Sequence, residues 1–499
     1  MTDITNVNTN QPVKTIAPGI DVHPDHAAFL ELLDNAPLHV HHYMAWGLAS
    51  GGTFLDGMSV FILGIAMPLI QIQMKLSSLE LGLLGACLVA GAIIGASLGG
   101  RIADLFGRKS VFLLDMLLLS ISALFASISW NSWFLIIMQL FIGIAIGMDF
   151  PVSGSYIAEC MPKQKRGRMM VATITSQSVG MVFASFLVIS LLKLWPSMYL
   201  WRVFIASESI LAVLFLIARM ILPESARWLM AKGQNHEAVQ SIIYFVPQDR
   251  IALQTMASRL DNKQLHASRF TNKVNPPSFK SLFSPAYLRR TLLSTVPWFL
   301  MDIATYGIGL FTAVLLFALH VGQNSHTEIE KIQALAWGSG LLDVFLFIGF
   351  LFGMWAVVRF GRMRMQMFGF AGMSIGMMIL LLSVILSGGA GAHIYLVFGG
   401  FVVFNLLMNM GPNSTTFIMP AELFPTRLRA TGSGFSAALA KTGATLGVFL
   451  LPILKNQFGI RAVLILMIIV SILGLLTTWL FRVDDNERSL EEHQAANLP

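Results

Sequence analysis

The sequence predicts an all-α membrane protein with twelve transmembrane helices in two six-helix repeats. Three observations support this fold class: an apolar composition, twelve apolar stretches of spanning length, and motifs that occur once in each half. Of the 499 residues, 55% are hydrophobic and 12% are charged, whereas a soluble domain carries roughly 25% charged residues. This composition excludes a cytosolic enzyme, a disordered chain and a secreted disulfide scaffold. The two cysteines suggest no disulfide framework and no metal site.

The apolar stretches give the positions of the helices. A helix that crosses the bilayer needs about 20 mostly apolar residues. This criterion predicts twelve spans, numbered here in chain order: 44–70, 79–99, 110–129, 132–158, 169–193, 200–222, 291–319, 334–358, 365–387, 392–418, 430–455 and 460–482.

A polar, proline-containing stretch separates span 6 from span 7. We therefore predict five parts in the chain. They are an N-terminal tail 1–43, a six-helix bundle 44–222, a central loop 223–290, a second six-helix bundle 291–482 and a C-terminal tail 483–499.

The distribution of positive charge predicts the orientation. With both termini in the cytoplasm, the inner short loops hold twelve Lys and Arg residues, and the outer loops with their flanks hold six. Cytoplasmic loops of membrane proteins carry such an excess. We therefore expect the N-terminus and C-terminus inside, which places the tails and the central loop in the cytoplasm. The same excess accounts for the net charge of +7 without a nucleic-acid partner.

Internal motifs indicate that the two halves are repeats. The pattern E-x-x-P-x-x-x-R begins at Glu159 and again at Glu422, and the Gly-Arg pair that begins at Gly107 recurs at Gly361. Each copy follows the equivalent span of its half. Repeated six-helix units with matching loop motifs are typical of secondary transporters.

Three motifs allow a resemblance to be named. Residues 100–109 read GRIADLFGRK and resemble the loop between helices 2 and 3 of the major facilitator superfamily. YIAE at 156–159, followed by RG at 166–167, and PESARWL at 223–229 resemble the sugar-porter-related branch of that superfamily.

Within that branch the chain is most similar to the phosphate:proton symporters. The similarity rests on WFLMDIATYG at 298–307, GMDFP at 147–151, GPNSTTF at 411–417 and SAALAKTG at 436–443. Two positions depart from the family pattern. Phe150 stands where the family usually has Tyr, and Ser59 stands where it has a second Asp in span 1.

The resemblance implies both a fold and a function. The implied fold is the major facilitator fold, in which spans 1, 4, 5, 7, 10 and 11 face a central cavity. The implied function is a symporter that imports a small anion with protons, with inorganic phosphate as the favoured substrate. It implies no enzyme activity and no cofactor, since the proton gradient supplies the energy, and it implies a monomer.

Ionisable residues inside the spans are the candidates for the transport site. A charge at the bilayer centre costs at least ~2.5–3.5 kcal/mol on insertion scales, so such residues are usually functional. Asp56, Asp302 and Lys441 each lie near the middle of a span. Lys441 can donate three hydrogen bonds, so we predict that it binds the anion. The alternative is a Lys–Asp pair that only joins the two halves.

The remaining substrate ligands follow from helical spacing and from the implied cavity. Trp298, Asp302 and Tyr306 are four residues apart and share one face of span 7. In the implied fold Gln177 and Asn413 face the same space. The predicted substrate-binding residues are thus Gln177, Trp298, Asp302, Tyr306, Asn413 and Lys441.

Three carboxyl groups are the candidate proton carriers. An ionised Asp302 would repel an anion, whereas a protonated Asp302 could donate a hydrogen bond to it and later release the proton. Asp56 and Asp149 are the other candidates, and the implied fold places Asp149 in the same central space. The alternative for each is a carboxylate held only by Lys441 or by backbone donors.

The loop motifs predict a network of charged residues that gates the transporter. Each exposed pair contributes only ~0–1 kcal/mol, yet a network that forms in one state and breaks in the other can bias alternating access. Its predicted members are Asp104, Arg108, Glu159, Arg166, Glu422 and Arg429. The alternative is that these charges only hold the loops inside.

Two other functions stay open. Phe150, Ser59 and the sugar-porter motifs allow a proton-coupled transporter of a sugar or an organic acid. A transporter-like nutrient sensor would bind a solute without moving it. In every case we expect a multi-pass protein of the plasma or inner membrane, whose partners are a small solute, protons and the lipid bilayer.

Overall fold

The computed structural model describes residues 32–247, 279–310, 312, 315–316, 327–386, 393–424 and 426–483. In these residues the chain is all-helical, with helices joined by short turns. Ten helical stretches among them are long and apolar enough to cross a membrane. This confirms the predicted fold class, while the side of the membrane on which the termini lie stays a prediction.

The first half contains spans 1 to 6. Span 1 consists of two helices, Val40–Ala49 and Gly51–Met74, which meet at Ser50. Spans 2 to 6 are Ser78–Phe106, Arg108–Ser127, Ser132–Cys160, Lys163–Leu194 and Leu200–Arg219.

The second half contains spans 7 to 12. Spans 7 to 9 are Pro285–Leu310, Glu328–Phe360 and Arg362–Ile385, and span 10 consists of Ile394–Met410 and Pro412–Leu423. The helix Thr426–Phe481 contains spans 11 and 12, which are separated at Gly459, a residue with φ of 79°. The ten stretches count this long helix once and do not include span 7. Adding span 7 and dividing the long helix into spans 11 and 12 gives the predicted twelve.

Several helices extend beyond the predicted apolar stretches. Span 2 ends at Phe106 instead of residue 99, and span 7 begins at Pro285 instead of residue 291. The predicted central loop also holds two short helices, Ala226–Ala231 and Asn235–Phe245. An apolar-length criterion cannot detect them because their polar residues are expected to face water. The five-part division of the chain stays a prediction.

The backbone repeats at the start of spans 3 and 9. Gly107 (φ 97°) and Gly361 (φ 85°) form the tight links that precede these spans, and a positive φ of this size favours glycine. In the first half the Glu224 carboxylate accepts the backbone N–H groups of Arg108 and Lys109 at 2.9 and 3.0 Å. It thereby satisfies two free donors at the start of span 3.

Close helix packing in the first half depends on small residues. Gly91 and Gly95 of span 2 lie against Gly143, Ile144 and Gly147 of span 4, so closely that a Cβ atom on Gly95 would overlap the Ile144 carbonyl oxygen. Small residues permit such close approach of helices in membranes.

Span 2 also packs against span 11, and span 5 packs against span 8. These four spans therefore join the two halves beside the central cavity.

We expect Gly95→Ala to destabilise the protein by about 1–3 kcal/mol because the added methyl group overpacks the contact with span 4. The measurement is thermal unfolding of the purified protein in detergent. Gly434→Ala is the matched control, since a Cβ there meets no atom within 4 Å. Equal melting temperatures for the two variants would contradict the packing argument.

Candidate functional site

A buried lysine lies at the centre of the site. Lys441 of span 11 is 6% exposed, and its Nζ donates a hydrogen bond to the Tyr306 hydroxyl. Nζ lies 3.8 Å from Oδ2 of Asp302. It also lies 4.0 Å from the ring centroid of Tyr306 and 5.0 Å from that of Phe150. An ion pair and two aromatic rings therefore compensate the loss of water around this ammonium group.

A second carboxyl group faces the same tyrosine from the other half of the protein. Asp56 Oδ2 accepts a hydrogen bond from Gln177 Nε2 at 2.7 Å and lies 3.4 Å from the Tyr306 hydroxyl. Spans 1, 5, 7 and 11 thus meet at one buried cluster. If Asp56 and Asp302 were both ionised, the single Lys441 ammonium would face two carboxylates. A proton on one of them would leave one positive and one negative charge in the cluster.

The cluster borders a narrow cavity between the halves. All six residues predicted to bind substrate line this cavity. Its complete lining is Phe150, Ile174, Gln177, Trp298, Asp302, Thr305, Tyr306, Asn413, Phe417 and Lys441. The structure therefore brings the predicted set together, and the role of each residue stays a prediction.

A second narrow cavity adjoins Tyr306 and Lys441. These two residues line both cavities. The other residues that line the second cavity are Asp56, Val60, Leu88, Val89, Ala92 and Ile146.

Asp149 does not line either cavity, although the resemblance implies that it shares the central space. The reason is an arginine at the end of span 6. Arg219 Nη2 lies 2.6 Å from Asp149 Oδ1, and Nη1 lies 3.1 Å from Asp115 Oδ1 of span 3. The same guanidinium donates to the carbonyl oxygens of Leu48 and Ala49 at 2.9 and 3.1 Å, where span 1 is interrupted. A proton-carrying role for Asp149 stays a prediction.

Arg219 and Asp115 were missed by the sequence reasoning. Both side chains are fully buried. Each lies within a predicted apolar span, and a charge in an apolar run is the same signal that identified Asp56 and Lys441. The pattern in the sequence could therefore have found them.

In the first half, two residues of the predicted gating set pair with each other, and a third pairs with a residue outside the set. Arg108 Nη2 lies 2.9 Å from Glu159 Oε1. Arg166 instead pairs at 2.6 Å with Asp34, a residue of the predicted N-terminal tail, and Arg227 pairs with the same oxygen at 2.6 Å. Asp34 thus joins span 5 to the short helix Ala226–Ala231.

The second half repeats the first pair. Glu422 forms an ion pair with Arg362, at the positions that correspond to Glu159 and Arg108. Arg362 was not in the predicted gating set. The side chains of Asp104 and Arg429 lie outside the part of the chain that the structure describes. A gating role for the whole set stays a prediction.

The two departures from the family pattern have distinct contacts. Phe150 packs edge-on against Phe417 with ring centroids 5.5 Å apart, and its ring faces Lys441. Ser59 donates a hydrogen bond of 2.8 Å to Glu208, a buried carboxyl group of span 6. Only Phe150 therefore borders the cavity.

We expect Arg219→Met to destabilise the protein by about 3–5 kcal/mol, because it leaves two carboxyl groups buried without their cation. Unfolding of the detergent-solubilised protein measures the effect. The triple variant Arg219→Met, Asp115→Asn, Asp149→Asn removes the excess charge and should recover part of the loss. A single variant as stable as the wild type would contradict this account.

The sequence of this chain is similar to those of known transporters. The profile of the family described as "Sugar (and other) transporter" matches residues 40–496. The chain is 28% identical to "Probable inorganic phosphate transporter 1-6" of Arabidopsis thaliana, over 95% of this chain and 98% of that protein. It is 26% identical to "Inner membrane metabolite transport protein YgcS" of Escherichia coli (strain K12), over 90% and 93% of the two chains.

The fold matches solved transporter structures. The proton:xylose symporter XylE, of the major facilitator superfamily, superimposes with a TM-score of 0.71 at 20% identity. The superposition covers 91% of this chain and 99% of XylE. At this level of identity the match supports the fold alone.

Proposed function

We propose, given that this chain belongs to the sugar (and other) transporter family, that it is a proton-coupled symporter of a small oxyanion. In this proposal inorganic phosphate is the first candidate substrate. The chain is a multi-pass membrane transporter and not an enzyme, as its family and its fold agree. The choice of an anion, of protons and of the direction of transport is the proposal.

The observation that carries the proposal is the buried Lys441 ammonium between Asp302 and the Tyr306 hydroxyl. An oxyanion needs several donors, and the ammonium offers three. The Trp298 indole and the Asn413 amide line the same cavity and can add N–H donors. A sugar would need no buried cation, so Lys441 favours an anionic substrate.

Coupling follows from the charge balance of the cluster. When Asp302 binds a proton, its attraction for Lys441 ends, and the ammonium becomes available for the anion. Release of the anion and the proton on the opposite side of the membrane restores the Lys441–Asp302 pair. Proton and anion thus raise each other's affinity, which is the linkage that symport requires.

Alternating access is proposed to use the equivalent pairs Arg108–Glu159 and Arg362–Glu422. Each pair joins spans within one half, so it fixes the shape of that half near the loop motifs. A rigid-body movement of one half against the other would then expose the cavity to each side in turn.

A second candidate is the transport of an organic anion or a sugar. The Phe150 ring, in place of a hydroxyl-bearing ring, gives the cavity one wall without a hydrogen-bond donor. Relatives named as metabolite transporters are consistent with an organic substrate.

We expect purified protein in liposomes to accumulate labelled phosphate when the proton gradient points inward, and an uncoupler to abolish the accumulation. Lys441→Ala should reduce uptake about tenfold to hundredfold, since it removes hydrogen bonds from a charged donor to a buried anion. Lys193→Ala, at an exposed lysine, is the control and should transport normally.

Two results would contradict the proposal at different levels. Uptake of an organic anion or a sugar, without uptake of phosphate, would make phosphate wrong and leave the carrier in place. Binding of a solute with no transport of any solute would instead support a sensor.

Asp302→Asn tests the coupling separately. The amide cannot carry the proton, so we expect the variant to lose accumulation driven by a proton gradient and to keep exchange of labelled for unlabelled substrate. Its exchange rate should not rise as the external pH falls, whereas wild-type uptake should rise. If Asp302→Asn still accumulates substrate when a proton gradient is applied, a group other than Asp302 carries the proton.

A further inference from the structure

We propose that Asp343 of span 8 is a further proton-binding site, which takes up a proton when spans 5 and 8 close against each other. Asp343 lines neither cavity beside Lys441, and the proposal does not depend on which solute the protein carries. It rests on the place of Asp343 at a contact between the halves and on the surroundings of its carboxyl group.

Asp343 faces the interior of the protein. Trp337 and Trp355 are more than half exposed and mark the side of span 8 that is expected to face lipid. On a helix of 3.6 residues per turn, Asp343 lies on the other side, in the stripe of buried residues that includes Ser339 and Leu346. Its carboxyl group is therefore inside the bundle, near the middle of a helix of 33 residues.

Spans 5 and 8 belong to different halves and pack closely beside this position. A Cβ atom on Gly340 would lie 2.8 Å from the side chain of Ser185. Gln333 Nε2 donates a hydrogen bond of 3.0 Å to the carbonyl oxygen of Leu192. Both contacts give the same antiparallel register, so the two spans are closed against each other along this stretch.

The register shows where Asp343 lies relative to the central cluster. It places Asp343 opposite Val182, five residues along span 5 from Gln177. This separation is about 7.5 Å along the helix, away from the link at Gly361. Asp343 therefore lies on the predicted outer side of the Lys441 cluster.

No group in the described part of the chain compensates an ionised Asp343. Its carboxyl oxygens have no hydrogen bond or ion pair there. On the facing span, the hydroxyl groups of Ser178 and Ser185 donate to carbonyl oxygens of their own helix. One turn away on span 8, the buried Ser339 hydroxyl also has no hydrogen-bond partner among the described residues. Without a cation or a donor, the protonated form of Asp343 is favoured while the contact is closed.

Other ionisable groups on the neighbouring spans lie at different levels. Among the described residues, span 5 has none between Arg168 and Lys193, and span 10 has none between Tyr395 and Glu422. The ionisable groups of spans 1, 7 and 9 lie nearer the predicted cytoplasmic side. They include Asp56, Asp302, Tyr306, Arg362 and Arg364. Hydration is therefore the main influence on the protonation of Asp343.

Movement of one half against the other would change that hydration. When spans 5 and 8 part, water reaches the Asp343 carboxyl group, which releases its proton to the outer solution. When the spans close, the carboxylate takes up a proton from the same side. Acid outside therefore favours closure, and a rise in pH favours opening. The proton returns to the side from which it came, so Asp343 controls an outer gate and adds no transported proton.

The test measures opening through the reaction of a buried thiol in the detergent-solubilised protein, without substrate. Ser185→Cys is made together with Cys87→Ala and Cys160→Ala, and its reaction with a polar maleimide is timed. The rate is divided by that of Leu194→Cys, an exposed position at the end of the same span. We expect this ratio to rise with pH by up to about tenfold per unit, the slope for one proton.

Variants at two carboxyl groups assign the effect. Asp343→Asn is neutral at every pH, so it should keep the low rate of the closed contact and abolish the rise. Glu328→Gln removes an exposed carboxyl group at the start of the same span and should keep the rise. The melting temperature tests folding. Asp343→Asn should gain on the wild type as the pH rises, whereas a misfolded variant would melt lower at every pH.

A rise that persists in Asp343→Asn, or a ratio that does not change with pH in the wild type, would overturn the proposal. With phosphate uptake intact, either result leaves the proposed function standing. A rise that requires Asp343, in a protein that carries no phosphate, would support the proton site and contradict the phosphate symporter.

Discussion

The fold around the central cavity depends on the burial of one ammonium group. A cation in a low-dielectric interior costs several kcal/mol unless charge and hydrogen bonds compensate it. Lys441 obtains this compensation from Asp302 and Tyr306 of its own half, and Tyr306 in turn approaches Asp56 of the other half. The contact between the halves is therefore electrostatic at its centre, and the proposed entry of a proton or an anion would change it.

Arg219 is the second buried cation, and its contacts lie within one half. Among the described residues, the partners of Arg219 belong to the first half: the carbonyl groups at the interruption of span 1, Phe112 and Asp115 of span 3, and Asp149 of span 4. These contacts do not cross to the other half, so movement between the halves does not disturb them. The protein thus combines a cation that stabilises one half internally with a cation that lies where the two halves meet.

Much of the fold and of the candidate site could be predicted from the sequence. Apolar length located the spans, and charges or aromatic residues inside apolar runs identified four residues that line the first cavity, Trp298, Asp302, Tyr306 and Lys441. The fold implied by the resemblance added Gln177 and Asn413. The sequence did not indicate contacts whose partner comes from a distant segment, such as Asp149 with Arg219 and Arg166 with Asp34. Spacing within one helix reports which residues share its face, and it carries no information about the side chain that another helix places opposite.

The position of Asp34 has a consequence for protein engineering. One carboxylate oxygen accepts from Arg166 and from Arg227, both at 2.6 Å. A truncation that removes it would leave two neighbouring guanidinium groups to repel each other where span 5 meets the helix Ala226–Ala231. Affinity tags and fused fluorescent domains therefore belong before this residue, and the functional boundary of the transporter starts earlier than its first apolar span.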